Sequence, residues 1–321
     1  MSLKWGPLTR DDAEPLADLL TAIEAEDRTG EVHDLEDVRK QLSHPLLDLD
    51  AGTLAARDAG RIVAYGYLPV RQSVTDAHTM RMLGGVHPGH RRRGLGRRLL
   101  DWGIDTAPVL SAKAFPGVPL ELHLNVYDAN AGLKALAEGA GFTPNRWFAY
   151  MGRSLAGELP RFTPPDGVSV VTWAPEFDEG ARQARNESFV DHWGNVPHTP
   201  ESWQAYIVGT RHFLPESSFV ALHEGQVVGM LLTHTFEGYN EQAGARRAWI
   251  QIIGTLREWR GKGVASAMIA CALAAYRDQG FDTAGLGVDA HNPTGAVGVY
   301  TRAGFEPLLR SANYTLPLTI G

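Results

Sequence analysis

An internal repeat limits what this chain can fold into. Arg91-Arg92-Arg93-Gly94-Leu95-Gly96 reads R-x-x-G-x-G, and Arg260-Gly261-Lys262-Gly263-Val264-Ala265 reads R-x-x-G-x-A, 169 positions further on. After each comes a strand-like run, an Asn in a loop (Asn130, Asn292) and a helix-like run closing on Gly-Phe (Gly141-Phe142, Gly304-Phe305). Landmarks that recur in one order mark two copies of one structural unit, so the same layered arrangement has to be built twice. Midway lies Pro160-Arg161-Phe162-Thr163-Pro164-Pro165-Asp166-Gly167, a stretch of linker composition. It places a boundary near Phe162, with an N-terminal domain over 1–160 and a C-terminal domain over 166–321. The 321 residues suffice for two domains of ordinary size.

Periodicity supplies the elements. In the first copy, Ala13, Leu16, Leu19, Leu20 and Ile23 recur at helical spacing, and residues 34–42 predict a second short helix. A hairpin over 52–70 turns at Asp58-Ala59-Gly60; a strand over 80–86, a helix over 95–109, a strand over 120–126 and a helix over 131–139 follow. The second copy reads as a strand over 168–173, a helix over 177–190 and a hairpin over 219–234. A strand over 248–255, a helix over 264–279, a strand over 284–288 and a helix over 295–303 complete it. The expected fold class is α/β (α+β): in each copy a mixed, twisted sheet flanked by helices.

Composition narrows the function. Hydrophobic residues at 44% and charged residues at 21% exclude a disordered or fibrous chain. A formal net charge of −7 argues against nucleic acid as a partner, so any anion site must be local. The single Cys271 excludes an internal disulfide and a cysteine zinc cluster, and fits a reducing cytoplasm. No metal is expected. Residues 264–276 form the longest apolar stretch, well below the roughly 20 residues that cross a bilayer, and residues 1–12 lack the apolar core of a signal peptide. Neither a membrane nor a secretory route is expected.

A loop of small residues between a strand and a helix lets backbone N–H groups converge on an anion, and the helix dipole favours negative charge there. Gly94 and Gly96, like Gly263 and Ala265, are small where a side chain would block that approach, and Arg91 and Arg260 can add charge-assisted contacts. About one such match is expected by chance in a chain of this composition; the weight comes from the strand–loop–helix setting and from recurrence. Neither loop ends in Gly-Lys-Ser/Thr, and neither copy has G-x-G-x-x-G after its first strand, which disfavours nucleotide-triphosphate and dinucleotide folds.

On these motifs the sequence resembles a tandem pair of GNAT N-acetyltransferase domains over nearly its whole length. In length and duplication it is similar to the two-domain, mycothiol synthase-like acetyltransferases. The resemblance implies acetyl-CoA as acyl donor, with its pyrophosphate held at Arg91, Arg92, Arg93, Gly94, Leu95 and Gly96 and at Arg260, Gly261, Lys262, Gly263, Val264 and Ala265. It implies that the thioester carbonyl meets backbone N–H groups of the preceding strand, at Gly84, Gly85 and Val86 and at Ile253, Gly254 and Thr255. A glycine inside a strand also marks a bulge or a close approach, or merely relieves crowding. Asn292 is carried over as a cofactor contact, or serves as a helix cap.

Acetyl transfer to an amine requires a base for the amine and an acid for the leaving thiolate. The family often places a Tyr five residues before the Phe of Gly-Phe. That position is Tyr300 in the second copy and Ala137 in the first, so chemistry is assigned to the C-terminal domain, with the N-terminal one non-catalytic. The alternative reading of Tyr300 is a core aromatic on an amphipathic helix. The stretch 248–252 contains no carboxylate, which leaves His234 and Glu237 as base candidates, with Glu187, Asp191, Asp289 and His291 behind them. The expected activity is direct acetyl transfer from acetyl-CoA to a primary amine of a small molecule. The competing reading is a non-catalytic acyl-CoA-binding or regulatory module. The oligomeric state is not specified by these features.

Overall fold

The structure, a computed structural model, describes residues 3–44, 47–71, 74, 76–192, 195–290 and 295–319. It divides into two compact units, Met1–Trp147 with Arg310–Gly321, and Phe148–Leu309.

In chain order the first unit contains β1 (Lys4–Gly6), α1 (Ala13–Asp27), α2 (Leu35–Leu42), α3 (Leu49–Gly52), β2 (Thr53–Asp58), β3 (Arg61–Tyr67), β4 (His78–Arg81), β5 (Leu83–Val86), α4 (Leu95–Ala114), β6 (Leu120–Tyr127) and α5 (Ala131–Gly139). The strand β7 (Thr143–Ser154) carries the chain into the second unit. There follow β8 (Val168–Thr172), α6 (Asp178–Ser188), α7 (Pro200–Trp203), β9 (Phe219–His223), β10 (Gln226–Thr235), α8 (Glu237–Ala243), β11 (Arg247–Thr255), α9 (Val264–Asp278), β12 (Thr283–Asp289) and α10 (Ala296–Arg302). The last strand, β13 (Glu306–Leu318), returns the chain to the first unit.

The units therefore do not follow a single cut near Phe162. Residues 148–154 of β7 pair antiparallel with β12 in the second unit, and residues 311–318 of β13 pair antiparallel with β6 in the first. Ala312 and Tyr314 are buried in the first unit's core, Met151 and Leu155 in the second's. A strand belongs where its backbone groups complete a ladder and its apolar face is covered, whatever its order in the chain.

In the first unit β1, β2, β3 and β5 form one antiparallel sheet, while β4 pairs parallel with β6. In the second unit the order runs β7, β12, β11, β10, β9, β8, with β11 and β12 parallel. The hairpins β2–β3 and β9–β10 turn through Ala59-Gly60 and Glu224-Gly225, all four at positive φ. Such turns match the right-handed twist of the flanking strands. Helices cover both faces of the second sheet. On one, α9 buries Val264, Ala267, Met268, Ile269, Ala272, Leu273 and Tyr276, and on the other α6 and α7 bury Ala181 and Trp203. The spacing of the α9 set is the helical period, and truncating one large member such as Met268 to Ala costs about 2–5 kcal/mol.

Candidate functional site

Each unit opens a gap between two strands at the same point of the repeat. In the second, β11 and β12 pair from Arg247↔Thr283 to Ile250↔Leu286 and no further. Against β10, the register of β11 skips Gln251, since Leu232 faces Ile252 and Thr233 faces Ile250. The extra residue bends β11 away from β12. In the first unit β4 pairs with β6 as far as Arg81↔His123; Met82 interrupts the strand, and β5 then pairs with β3. Met82 and Gln251 are 169 positions apart, the spacing of the loops. The bend thus falls three residues before Gly85 and Gly254, not on those glycines.

Strand alternation decides which backbone donors face each gap. Leu256 N–H donates to Val228 O, and His87 N–H to Val63 O. Alternate residues point the same way, so Gly254 turns its N–H toward β10 while Ile253 and Thr255 turn theirs into the gap. In the first unit Gly84 and Val86 take those positions. Gly85 and Gly254 serve packing: a Cβ would meet Ile23 Cδ1 at 2.6 Å in one and Ser188 Oγ at 2.5 Å in the other. The buried Thr255 Oγ1 has no hydrogen-bond partner among the described residues, which suits a polar group entering the second gap.

Both loops are built alike. Gly94 (φ +83°) caps α4 and Gly263 (φ +91°) caps α9; both helix ladders start at these caps, with Arg98 N–H donating to Gly94 O and Ala267 N–H to Gly263 O. The three N–H groups between cap and ladder point outward, with the positive helix end behind them. Among the described residues, chain neighbours aside, no atom lies within 4 Å of a Cβ placed on Gly94, Gly261 or Gly263, so positive φ rather than crowding favours glycine there. Leu95 and Val264 anchor the helices in the cores, and Gly96 and Ala265 sit in the first turns.

The arginines expected to meet phosphate make contacts within the chain. Arg91 Nε donates to Val86 O (3.1 Å) and Arg260 Nε to Thr255 O (3.3 Å), so each guanidinium clamps its loop to the strand before it. Arg91 also pairs through both terminal nitrogens with the Asp27 carboxylate at 2.7 and 2.9 Å, whereas Arg260 donates to Ser188 O at 2.8 Å. Arg92 and Arg93 are exposed; Lys262, also exposed, lies with its ammonium 4.8 Å from the Trp259 ring centre.

Tyr300, on α10, is 7% exposed and packs edge-on against Phe305 in the core cluster that includes Val264. Burial pushes its phenol pKa up, which keeps the hydroxyl a proton donor at neutral pH. Phe305 N–H donates to Tyr300 O, and Phe142 N–H to Ala137 O, both at 3.0 Å, so the same turn carries a phenol in one unit and a methyl in the other. His234 is buried on β10 opposite Trp249, with Nε2 3.1 Å from Ile207 O. Desolvation lowers its pKa to about 4, so the imidazole is neutral. Glu237 is exposed in the first turn of α8, where the helix dipole favours a carboxylate. Asp191 pairs with Arg257, Glu187 is exposed, and Asp289 is buried at the end of β12. Asn292 and His291 lie outside the described residues.

Gln251 and Met82 carry no Gly or Pro signal, and only alignment of the two copies makes them equivalent.

Two stretches of the chain, residues 17–142 and 179–305, match the Acetyltransferase (GNAT) family. A mycothiol acetyltransferase of Frankia casuarinae is 29% identical over 360 residues, covering 98% of this chain and 97% of the relative. One of Thermobispora bispora is 35% identical over 227 residues, covering 68% and 70%. The crystal structure of a GCN5-related N-acetyltransferase from Sphaerobacter thermophilus superposes with a TM-score of 0.78 at 26% identity, covering 98% of this chain and 95% of that one.

Proposed function

The chain belongs to the GNAT family of acetyltransferases, and on that premise we propose that it moves an acetyl group from acetyl-CoA to a primary amine of a small molecule, with the chemistry in the second unit. The observation that carries this reading is a coincidence of parts. In the second unit a strand gap with inward N–H groups, a glycine-capped helix and a buried phenol occur together; the first has the gap and the cap but Ala137 in place of the phenol.

The N–H groups after Gly263 would hold the pyrophosphate of acetyl-CoA, and Ile253 and Thr255 N–H would meet a thioester carbonyl brought into the gap. The neutral amine attacks the carbonyl carbon and the π pair moves to oxygen, where those donors stabilise the oxyanion. Collapse re-forms the carbonyl and breaks the C–S bond, and Tyr300 gives its proton to the departing sulfur. His234 or Glu237 takes the proton shed by the amine: with Nε2 donating to Ile207 O, the His234 Nδ1 keeps a lone pair. The variants His234→Gln and Glu237→Gln assign this role, since the true base's loss removes the acidic limb of the pH–rate profile. Cys271, within α9 and raised in pKa by burial, takes no part.

Release of CoA thiol from acetyl-CoA with a panel of small primary amines tests the reading, with the product gaining one acetyl mass. Acetyl-CoA binding by calorimetry without thiol release for any amine would replace it with a non-catalytic acyl-CoA-binding module. That second reading already suits the first unit, which keeps the cradle without the phenol. The single half-buried cysteine is consistent with work in the cytoplasm.

A further inference from the structure

A short length of backbone spans the gap in the first unit on one face. The walls of that gap are β5, which leads to Arg91, and β6 beyond His123, which ends at Tyr127. Residues 27–31, directly after α1, are bonded to both. At one end the Asp27 carboxylate holds the Arg91 guanidinium at 2.7 and 2.9 Å, and Arg91 in turn grips Val86 O at the end of β5. At the other end the Tyr127 hydroxyl donates to Glu31 Oε1 at 2.6 Å. A segment bonded to both walls of a gap lies across it.

The middle of this segment is fixed as well. The buried Glu24 carboxylate, in the last turn of α1, accepts from Thr29 N–H at 3.1 Å, from the Thr29 hydroxyl at 2.6 Å and from Gly30 N–H at 2.6 Å. Between these anchors the chain turns through Arg28 at φ +51°, a left-handed conformation that a side chain disfavours and that the bonds on either side impose. The segment and the glycine loop lie on opposite faces of the strands. The α4 side packs with Ala64, Leu122, Leu124 and Val126, and the α1 side with Ile62, Tyr65 and Tyr67. Side chains alternate along a strand, so Tyr127 leaves β6 on the side away from α4.

We infer that residues 27–31 are a strap that shields a thioester in the first gap: the first unit holds an acyl-CoA and keeps nucleophiles from its carbonyl. An acyl-CoA with its pyrophosphate on the N–H groups after Gly94 would reach the α1 face only through the gap, and the strap lies across that exit. Ala137 leaves such a thioester without an acid for its sulfur. The strap leaves it without an attacker. This inference rests on the reading that both gaps admit acetyl-CoA, and deepens it by giving the first unit a role of its own.

The test uses the full chain carrying Gly263→Asp, which leaves the first loop to bind acetyl-CoA, and hydroxylamine as the attacker. Its nitrogen adds to the thioester carbonyl and the C–S bond breaks, giving acetohydroxamic acid and CoA thiol. With protein in excess, bound acetyl-CoA should release thiol about tenfold or more slowly than free acetyl-CoA. Tyr127→Phe and Glu31→Ala each delete the far anchor, and each should speed that release about tenfold, the effect of one hydrogen bond to a carboxylate on a local opening equilibrium. Glu31→Gln keeps an acceptor and should change it less. Opening is also read without ligand, because Arg28 is exposed within the strap. Trypsin cleavage after Arg28, in the otherwise wild-type chain, should quicken by the same factor in Tyr127→Phe and Glu31→Ala. Thiol release at the rate of free acetyl-CoA, or release and cleavage unchanged in both variants, overturns the strap and leaves acetyl transfer by the second unit standing. Failure of the Gly263→Asp chain to bind acetyl-CoA, while wild type acetylates amines, overturns the holding role alone. A wild-type chain that binds no acetyl-CoA overturns both readings. If Gly263→Asp does not fold, the tryptic comparison decides, and unchanged cleavage overturns the strap.

Discussion

The two glycine loops are close copies in shape and differ in what surrounds them. Arg91 and Arg260 each clamp back to the carbonyl five residues earlier, and Gly94 and Gly263 each cap a helix at positive φ. Yet Arg91 is held by the Asp27 carboxylate where Arg260 is held by a carbonyl, and Arg92 (φ +62°) occupies the left-handed position that Gly261 (φ +73°) fills. Beyond the loops, Ala137 stands where Tyr300 does. The shared parts are those that a strand-to-helix turn needs in order to fold. The parts that differ are those to which the proposed mechanism gives charge and protons. A phosphate-shaped loop is therefore weak testimony to catalysis, and the phenol is the stronger discriminator.

The most severe way to break the comparison is to put a carboxylate into each loop. Gly263→Asp sets a negative charge against the pyrophosphate at a residue with φ +91°, and turnover should fall to background. Gly94→Asp, at φ +83°, should leave most turnover and remove whatever CoA the first unit binds. Thiol release gives the rate and calorimetry the stoichiometry. A folded but inactive Gly94→Asp beside an active Gly263→Asp would reverse the assignment of the catalytic unit.

Next in size is the phenol. Tyr300→Phe keeps the ring on Phe305 and deletes the proposed acid, so kcat should drop by about 10²–10⁴ with acetyl-CoA affinity unchanged. If the phenol alone separates the units, loss of the hydroxyl should make the second behave as the first: it binds and does not turn over. Wild-type kcat in the variant would move the acid elsewhere.

Acid should weaken both units through one mechanism. His78, fully buried in the first with Nδ1 2.7 Å from Ser111 Oγ, and His234 in the second are both lowered to a pKa of about 4 by desolvation. The unfolded chain takes up protons at about 6.5, before the folded one does, so stability falls as pH drops from 6.5 to 4 and levels off below. Each histidine contributes up to about 3 kcal/mol to that loss. Urea denaturation at pH 7.5 and 4.5 measures it; His78→Gln and His234→Gln should each flatten part of the dependence, and an unchanged slope in both would mean the histidines are solvated.

How much of this was legible beforehand follows from range. The helix over 131–139, the turns at Ala59-Gly60 and Glu224-Gly225 and both loops depend on local rules, and the sequence carries them openly. β7 and β13 depend on distant edges: nothing in residues 148–154 says that they belong beside β12, or in 311–318 that they belong beside β6. Glycine usually signals a bulge, which points to Gly85 and Gly254, but those two make room for Ile23 and Ser188. Met82 and Gln251 bend their strands without a compositional mark. Arg91 and Arg260 were readable as cations but not as clamps, since the carbonyls they grip become acceptors only once the turn has formed.

The smallest expected effect tests whether the first loop is strained by lacking a glycine. Arg92 sits at φ +62°, where a side chain costs about 1–2 kcal/mol, whereas Gly261 adopts φ +73° freely. Arg92→Gly removes that strain but adds backbone freedom to the unfolded chain, worth about 0.5–1 kcal/mol the other way. The net should be a stabilisation below about 1 kcal/mol, while Gly261→Ala should cost about 1 kcal/mol, because strain is gained and little entropy is recovered. Arg92 is exposed, so the change removes no buried contact, and thermal denaturation of the two variants beside wild type is a clean comparison. If Arg92→Gly destabilises by as much as Gly261→Ala, the guanidinium at 92 is making interactions that offset its backbone, and the first loop has been refitted for arginine rather than left strained by it.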